Sequence, residues 1–164
     1  VVSMSYFQKS EDEAIIWRGP MIHNAINQFL QMTEWGQLDY LIVDLPPGTS
    51  DGPLTVMQTI TLDGFVVVTT PHFLSALDAK RSINMIRKLN VNVLGIVENF
   101  VGDIFGKGAG ETLAKELQLS FLGGIELRSE YRMVDIPPVL RVDEIEKEYE
   151  SIVAAINTVI ASKN

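Results

Sequence analysis

A doubly wound α/β sheet is the fold class this sequence predicts. Short apolar or β-branched runs alternate along it with longer stretches of helical period. The short runs are apolar throughout instead of alternating, as suits parallel strands covered on both faces. In such sheets ligands gather at the carboxyl ends of the strands, so residues there are the first candidates for function.

Taken in order, Pro20–Thr33 reads as a helix, with Pro20 at its start and Ile22, Ile26, Phe29 and Leu30 on one side. Tyr40–Asp44 reads as a buried strand that ends in a Pro-Pro-Gly turn, and Asp51 lies near another helix start. Gly64–Thr70 is the next strand, followed by a helix over Ser75–Leu89 with Asp78 near its beginning. Val91–Val97 and Leu119–Leu122 complete the strands, and Gly110–Leu117 forms a helix between them. The last helix, Asp143–Ser162, sets Ile145, Tyr149, Ile152, Val153, Ile156, Val159 and Ile160 along one stripe, with acidic residues at its N-terminal end. Neither a repeat nor a linker interrupts the pattern, so residues 1–164 read as one domain.

Composition narrows the function. The 164 residues are 46% hydrophobic, enough for a real core, and the net charge of −8 excludes a surface built to neutralise nucleic-acid phosphates. With no cysteine, these residues hold no disulfide and no thiolate metal site, and the two histidines, His23 and His72, give no ligand spacing. There is no apolar run of about 18 residues, and Val1–Lys9 lacks the basic-then-apolar order of a signal peptide. A cytoplasmic protein with no membrane partner is the expectation.

The most informative segment is Asp39–Asp51. Asp44, at the end of its apolar run, stands where a nucleotide-bound Mg²⁺ would lie, and a single carboxylate suits a hard cation that keeps most of its waters. The Gly48 N–H has no side chain to shield it from a terminal phosphate, and Pro46 and Pro47 stiffen the turn that carries it. Asp44–Thr49 is therefore a candidate switch, with Pro47 and Thr49 beside Gly48 as cofactor-binding residues. The competing reading is a strand that simply ends in a tight turn.

Several blocks in fixed order carry a resemblance. They are Trp17-Arg-Gly-Pro-Met21, Asp39 to Thr49, Val66-Val-Val-Thr-Thr-Pro71, Leu77-Asp-Ala-Lys80 and Asn92-Val-Leu-Gly-Ile-Val-Glu-Asn99. Weaker similarity runs on through Ile104 to Gly110, Phe121-Leu-Gly123 and Pro137-Pro-Val139. In these blocks the chain resembles the Mrp/ApbC proteins, within the MinD/ParA-like group of P-loop ATPases. The resemblance implies a three-layer P-loop NTPase-type sheet, mostly parallel with helices on both faces, seen here without its first strand and phosphate loop. It implies ATP and Mg²⁺ as cofactors, with Asp44 serving Mg²⁺ through water, Gly48 sensing the terminal phosphate and Asn99 contacting adenine. A carboxamide at a strand end can both donate to and accept from a purine edge; alternatively, Asn99 closes its strand by bonding its own backbone. The implied function is that of a homodimeric iron–sulfur cluster carrier that binds and hydrolyses ATP and passes clusters to apoproteins.

Two family segments are not found among these residues. No G-x-x-x-x-G-K-S/T occurs, and Gly102–Gly110 with Lys107 has the wrong order for one, so it reads as a loop entering a helix. Where the family carries Cys-x-x-Cys after the asparagine, Phe100-Val-Gly-Asp103 follows instead, so a 4Fe–4S cluster requires cysteines outside these residues. Ile125-Glu-Leu-Arg128 also departs from the family pattern, and the stretch from Tyr131 to Pro137 is short. Trp17 and Arg18 read as packing residues, His23 and His72 as polar surface or capping residues, Lys80 and Arg81 as a solvated face, and the methionines as core filler. Two other functions stay open: a MinD/ParA-like positioning ATPase, against which the acidic last helix argues, and a non-catalytic interaction module that has lost its nucleotide site.

Overall fold

A computed structural model describes residues 1–3, 6, 19–45, 51–132 and 135–162. Contacts divide the chain into two compact units, Val1–Thr61 and Leu62–Asn164.

The first unit is built on two helices, α1 (Gly19–Met32) and α2 (Asp51–Thr59). Residues four apart share a helix face, and two such pairs meet here. His23 Nδ1 lies 3.2 Å from Thr55 Oγ1, and one turn along Thr59 Oγ1 donates to Asn27 Oδ1 at 2.9 Å. Ala25 and Val56 are buried in the same pair of helices. Trp35 folds back on α1, its Nε1–H donating to the Leu30 carbonyl at 3.2 Å. The strand expected over Tyr40–Asp44 does not form. The segment is extended coil, with Ile42 89% exposed. An apolar, β-branched run supplies propensity, but a strand also needs a neighbour for its ladder, and the sheet among the described residues consists of three other segments.

Those three are β1 (Phe65–Thr69), β2 (Val93–Val101) and β3 (Phe121–Glu126), parallel in the order β1-β2-β3. Helix α3 (Phe73–Lys88) connects the first pair and α4 (Ala109–Leu117) the second; α5 (Asp143–Ala161) follows two short 3-10 turns. Both expected middle helices are present within two residues of their predicted bounds. The strand ends moved further: β2 continues past Val97 to Val101, and β3 runs through Gly123-Gly124 to Glu126. Paired glycines look like a break in sequence, yet backbone ladder bonds need no side chain.

The period-two alternation of strand side chains sorts the core into two clusters. On one face Val67 and Ile96 meet Ala79, Ile83 and Ile86 of α3 and Leu113 and Ala114 of α4. On the other, Val97, Leu122 and Ile125 meet Ile152 of α5, with Val66, Ile156 and Val159 packed around them. The second unit is thus three layers, with β2 buried on both faces from Val93 to Glu98. Cover on both faces does not extend along β1, where Val68 is 58% exposed. Gly123, at φ +149°, lets α5 come close, since a Cβ there would stand 2.8 Å from Ile152 Cγ1.

Polar contacts fasten the layers. Lys80, on the solvated face expected of it, pairs with Glu116 and links α3 to α4, and Arg87 Nη2 donates to the Leu117 carbonyl at 2.6 Å. Arg81 pairs with Asp78 on its own helix. After β3, Arg128 reaches Glu126 at 2.9 Å and Glu148 of α5 at 2.7 Å, and Glu148 holds its guanidinium above the ordinary value. Nearby, burial and then Tyr149 push the Tyr131 phenol from 10.0 up to about 12.

Two outcomes follow from this packing. Ile83 is fully buried, and Ile83→Ala should cost about 2–5 kcal/mol in urea unfolding, the usual loss for emptying a core site. Because the folded state favours the neutral Tyr131 phenol, its contribution to stability is complete below pH 10 and disappears as pH rises towards 12. The urea midpoint should fall across that window, and Tyr131→Phe should flatten the fall.

Candidate functional site

The carboxyl end of β2 carries the most chemistry in the second unit. Alternation sends Glu98 and Asn99 to opposite faces of the strand. Glu98 is only 2% exposed, so its carboxylate needs donors. It finds two: Oε2 accepts the Gly108 N–H at 2.8 Å and Oε1 accepts the Gly110 N–H at 2.6 Å. Gly108, at φ +97°, sits at the N-cap of α4 and brings no capping side chain of its own. The strand supplies the cap from outside, with a negative charge at the positive end of the helix. Room for it depends on Gly110, where a Cβ would lie 3.0 Å from Glu98 Cβ.

This arrangement decides the character of the glycine-rich loop. The N–H groups of Gly108 and Gly110 are taken by the protein's own carboxylate, which leaves them no capacity to cradle phosphate. Gly102–Gly110 is a loop entering a helix. Its neck is closed by two backbone hydrogen bonds, Gly102 N–H to the Gly106 carbonyl at 3.1 Å and the reverse at 2.7 Å. Phe100 and Phe105 pack against each other in a tilted pair, ring centroids 6.2 Å apart, and Ile104 is 80% exposed.

Asn99 is half-buried, and its Oδ1 accepts the Phe100 N–H at 2.8 Å, steadying Phe100 at φ +61°. The side chain thus bonds its own backbone where the ladder to β3 shifts register, and its amide nitrogen makes no hydrogen bond among the described residues. At the end of β1, His72 caps α3, Nδ1 accepting the Leu74 N–H at 3.2 Å.

Asp44 belongs to the first unit and Asn99 to the second. The Asp44 carboxylate is exposed and has no ion-pair partner among the described residues. Pro47, Gly48 and Thr49 lie outside the described residues, as do Trp17 and Arg18. No group of three or more metal-binding side chains occurs among the described residues. Glu98 was missed in sequence; the available signal was a lone acid inside an apolar strand, followed ten and twelve residues later by glycines at a helix start.

A parallel sheet sandwiched by helices, with polar side chains at the strand ends, is the doubly wound arrangement of α/β proteins. The structure is similar to the cell division ATPase MinD of Pyrococcus furiosus, with a TM-score of 0.67 at 18% identity over 89% of this chain and 63% of that one, a likeness of fold alone. The chain belongs to the ParA family as NUBPL iron-transfer P-loop NTPase, matched over residues 1–160. It is 44% identical over 169 residues to an iron-sulfur cluster carrier protein of Methanocaldococcus jannaschii, covering 94% of this chain but 58% of that relative. It is also similar to a nucleotide-binding protein of Archaeoglobus fulgidus solved in complex with ADP, at 39% identity and a TM-score of 0.59, over 66% of this chain and 49% of that one. The chain therefore spans little more than half the length of such relatives.

Removing the Glu98 cap should be costly. Glu98→Ala leaves two buried N–H groups without a charged acceptor and should lose about 3 kcal/mol in chemical denaturation. Glu98→Gln, which can satisfy one of them, should lose less.

Proposed function

We propose that residues 1–164 form part of a single P-loop NTPase-like domain of an iron–sulfur cluster carrier, a cytoplasmic homodimer that binds and hydrolyses ATP with Mg²⁺ and passes clusters to apoproteins. The observation that carries this reading is the family match over residues 1–160, and relatives named as cluster carriers support it. Asp44 holds the Mg²⁺ through water, which an exposed carboxylate with no ion-pair partner among the described residues suits. The ion's part is to neutralise charge on the phosphates. The Gly48 N–H approaches the terminal phosphate, with Pro47 and Thr49 holding the turn in place. Asn99 donates to the base: its oxygen is engaged by Phe100, so the amide nitrogen faces an acceptor atom of adenine. The cluster is cargo. No cysteine occurs in the 164 residues, so its thiolate ligands come from cysteines outside them.

One observation favours a second reading, a module that binds a partner without nucleotide. The Gly108 and Gly110 N–H groups of the described glycine-rich loop are filled by Glu98, so they offer nothing to a phosphate. Thermal melts with and without Mg·ATP separate the two. On the carrier reading, ATP at 100 times its Kd stabilises by about 2.7 kcal/mol and raises Tm. Asp44→Asn should remove the part of the shift that needs Mg²⁺, and Asn99→Ala should narrow the preference for ATP over GTP. An unchanged Tm at millimolar Mg·ATP would sink the carrier reading and leave the module.

A further inference from the structure

On the outer side of the second unit, away from both core clusters, α5 and the 3-10 turn at Pro138–Leu140 enclose a shallow groove of about 450 Å³. That volume lies within the range of ligand clefts, about 300–1,000 Å³, but the groove is wide open to solvent. Its floor is apolar: Val139, Leu140, Tyr149 and Val153, with Leu140 73% and Val153 53% exposed. Tyr149 and Val153 belong to the stripe expected to face the sheet. Only Ile145 and Ile152 of that stripe are fully buried, so the apolar surface of α5 is wider than the sheet covers.

Glu146 and Glu150 border this floor. The helix dipole accounts for Asp143, Glu144 and Glu146 in the first turn, and Arg128 holds Glu148. Neither reason reaches Glu150, which stands two turns into the helix, and neither border residue has an ion-pair partner among the described residues. The charges select the occupant. A second copy paired about a two-fold axis would set these acidic borders against each other, in a chain that already carries a net charge of −8. An anionic membrane surface would be repelled in the same way. A cationic, amphipathic helix satisfies both features, its apolar i, i+3, i+4 residues on Leu140, Tyr149 and Val153 and its lysines or arginines beside Glu146 and Glu150. We propose that this groove docks a basic amphipathic helical segment of a partner protein.

The test is fluorescence anisotropy of the whole chain with a labelled synthetic helix of leucines at i, i+3, i+4 spacing and lysines elsewhere, against a control in which glutamate replaces lysine. The lysine peptide should bind and the control should not. Val153→Asp should weaken binding tenfold or more, as should the double variant Glu146→Lys, Glu150→Lys, and added salt should weaken it too. All these positions are exposed, and far-UV circular dichroism with a melt establishes that each variant is folded. Absence of binding, or equal binding by the folded variants, overturns the proposal. So does a concentration-dependent dimer in sedimentation that Leu140→Asp abolishes, because that result gives the groove to a second copy.

Discussion

A carboxylate removed from water must find donors or lose its charge, and Glu98 sits at the one point where strand, loop and helix meet. Its two oxygens hold Gly108 and Gly110, which fixes where α4 begins relative to the end of β2. From that start the helix lays Leu113 and Ala114 over Ile96, so the packing of one core cluster is aligned by a polar contact at its edge. The interaction also dictates sequence: a side chain at 110 would crowd Glu98, the Phe121 ring and Thr69 together. Glycine there makes room for the acid.

The hydrophobic layers then follow from β2. A strand with neighbours on both edges and helices on both faces has no solvent side, so its residues from Val93 to Val97 are apolar without alternation. The two faces differ in how they are secured. Toward α3 and α4 the cluster is reinforced by Lys80–Glu116 and by Arg87 on the Leu117 carbonyl. Toward α5 a single guanidinium, Arg128, bridges two carboxylates and ties the chain after β3 to the last helix. That residue lies in the short stretch where the sequence departs from its family pattern.

What could be read in advance divides along physical lines. Helices α3, α4 and α5 were legible because a 3.6-residue period is a property of the segment itself, and so was the fold class, which depends only on the alternation of elements. The strand expected at Tyr40–Asp44 was not, because its run resembles that of β2 while pairing is a relation between segments. Glu98 was hidden for the same reason: its partners are ten and twelve residues away and are backbone groups, which no composition reveals. Of the site, Asn99 was placed at a strand end, and both proposed uses of its carboxamide were on hand. The structure engages the oxygen with the Phe100 N–H, the local backbone bond that was one of the two readings. Asp44 is exposed, whereas Pro47, Gly48 and Thr49 lie outside the described residues.

The neck between Gly102 and Gly106 bears on loop length as well as on shape. Two reciprocal hydrogen bonds bring the strands of the loop together before the chain reaches Asp103, so whatever lies beyond the neck is mechanically insulated from β2 and from the Glu98 cap. Lengthening a loop that is already closed costs little, about 0.6 kcal/mol for each doubling. This is also the place where the resemblance puts a Cys-x-x-Cys segment in related proteins. The stretch between Gly102 and Gly106 can therefore change length at small entropic cost while the sheet beneath it keeps its register.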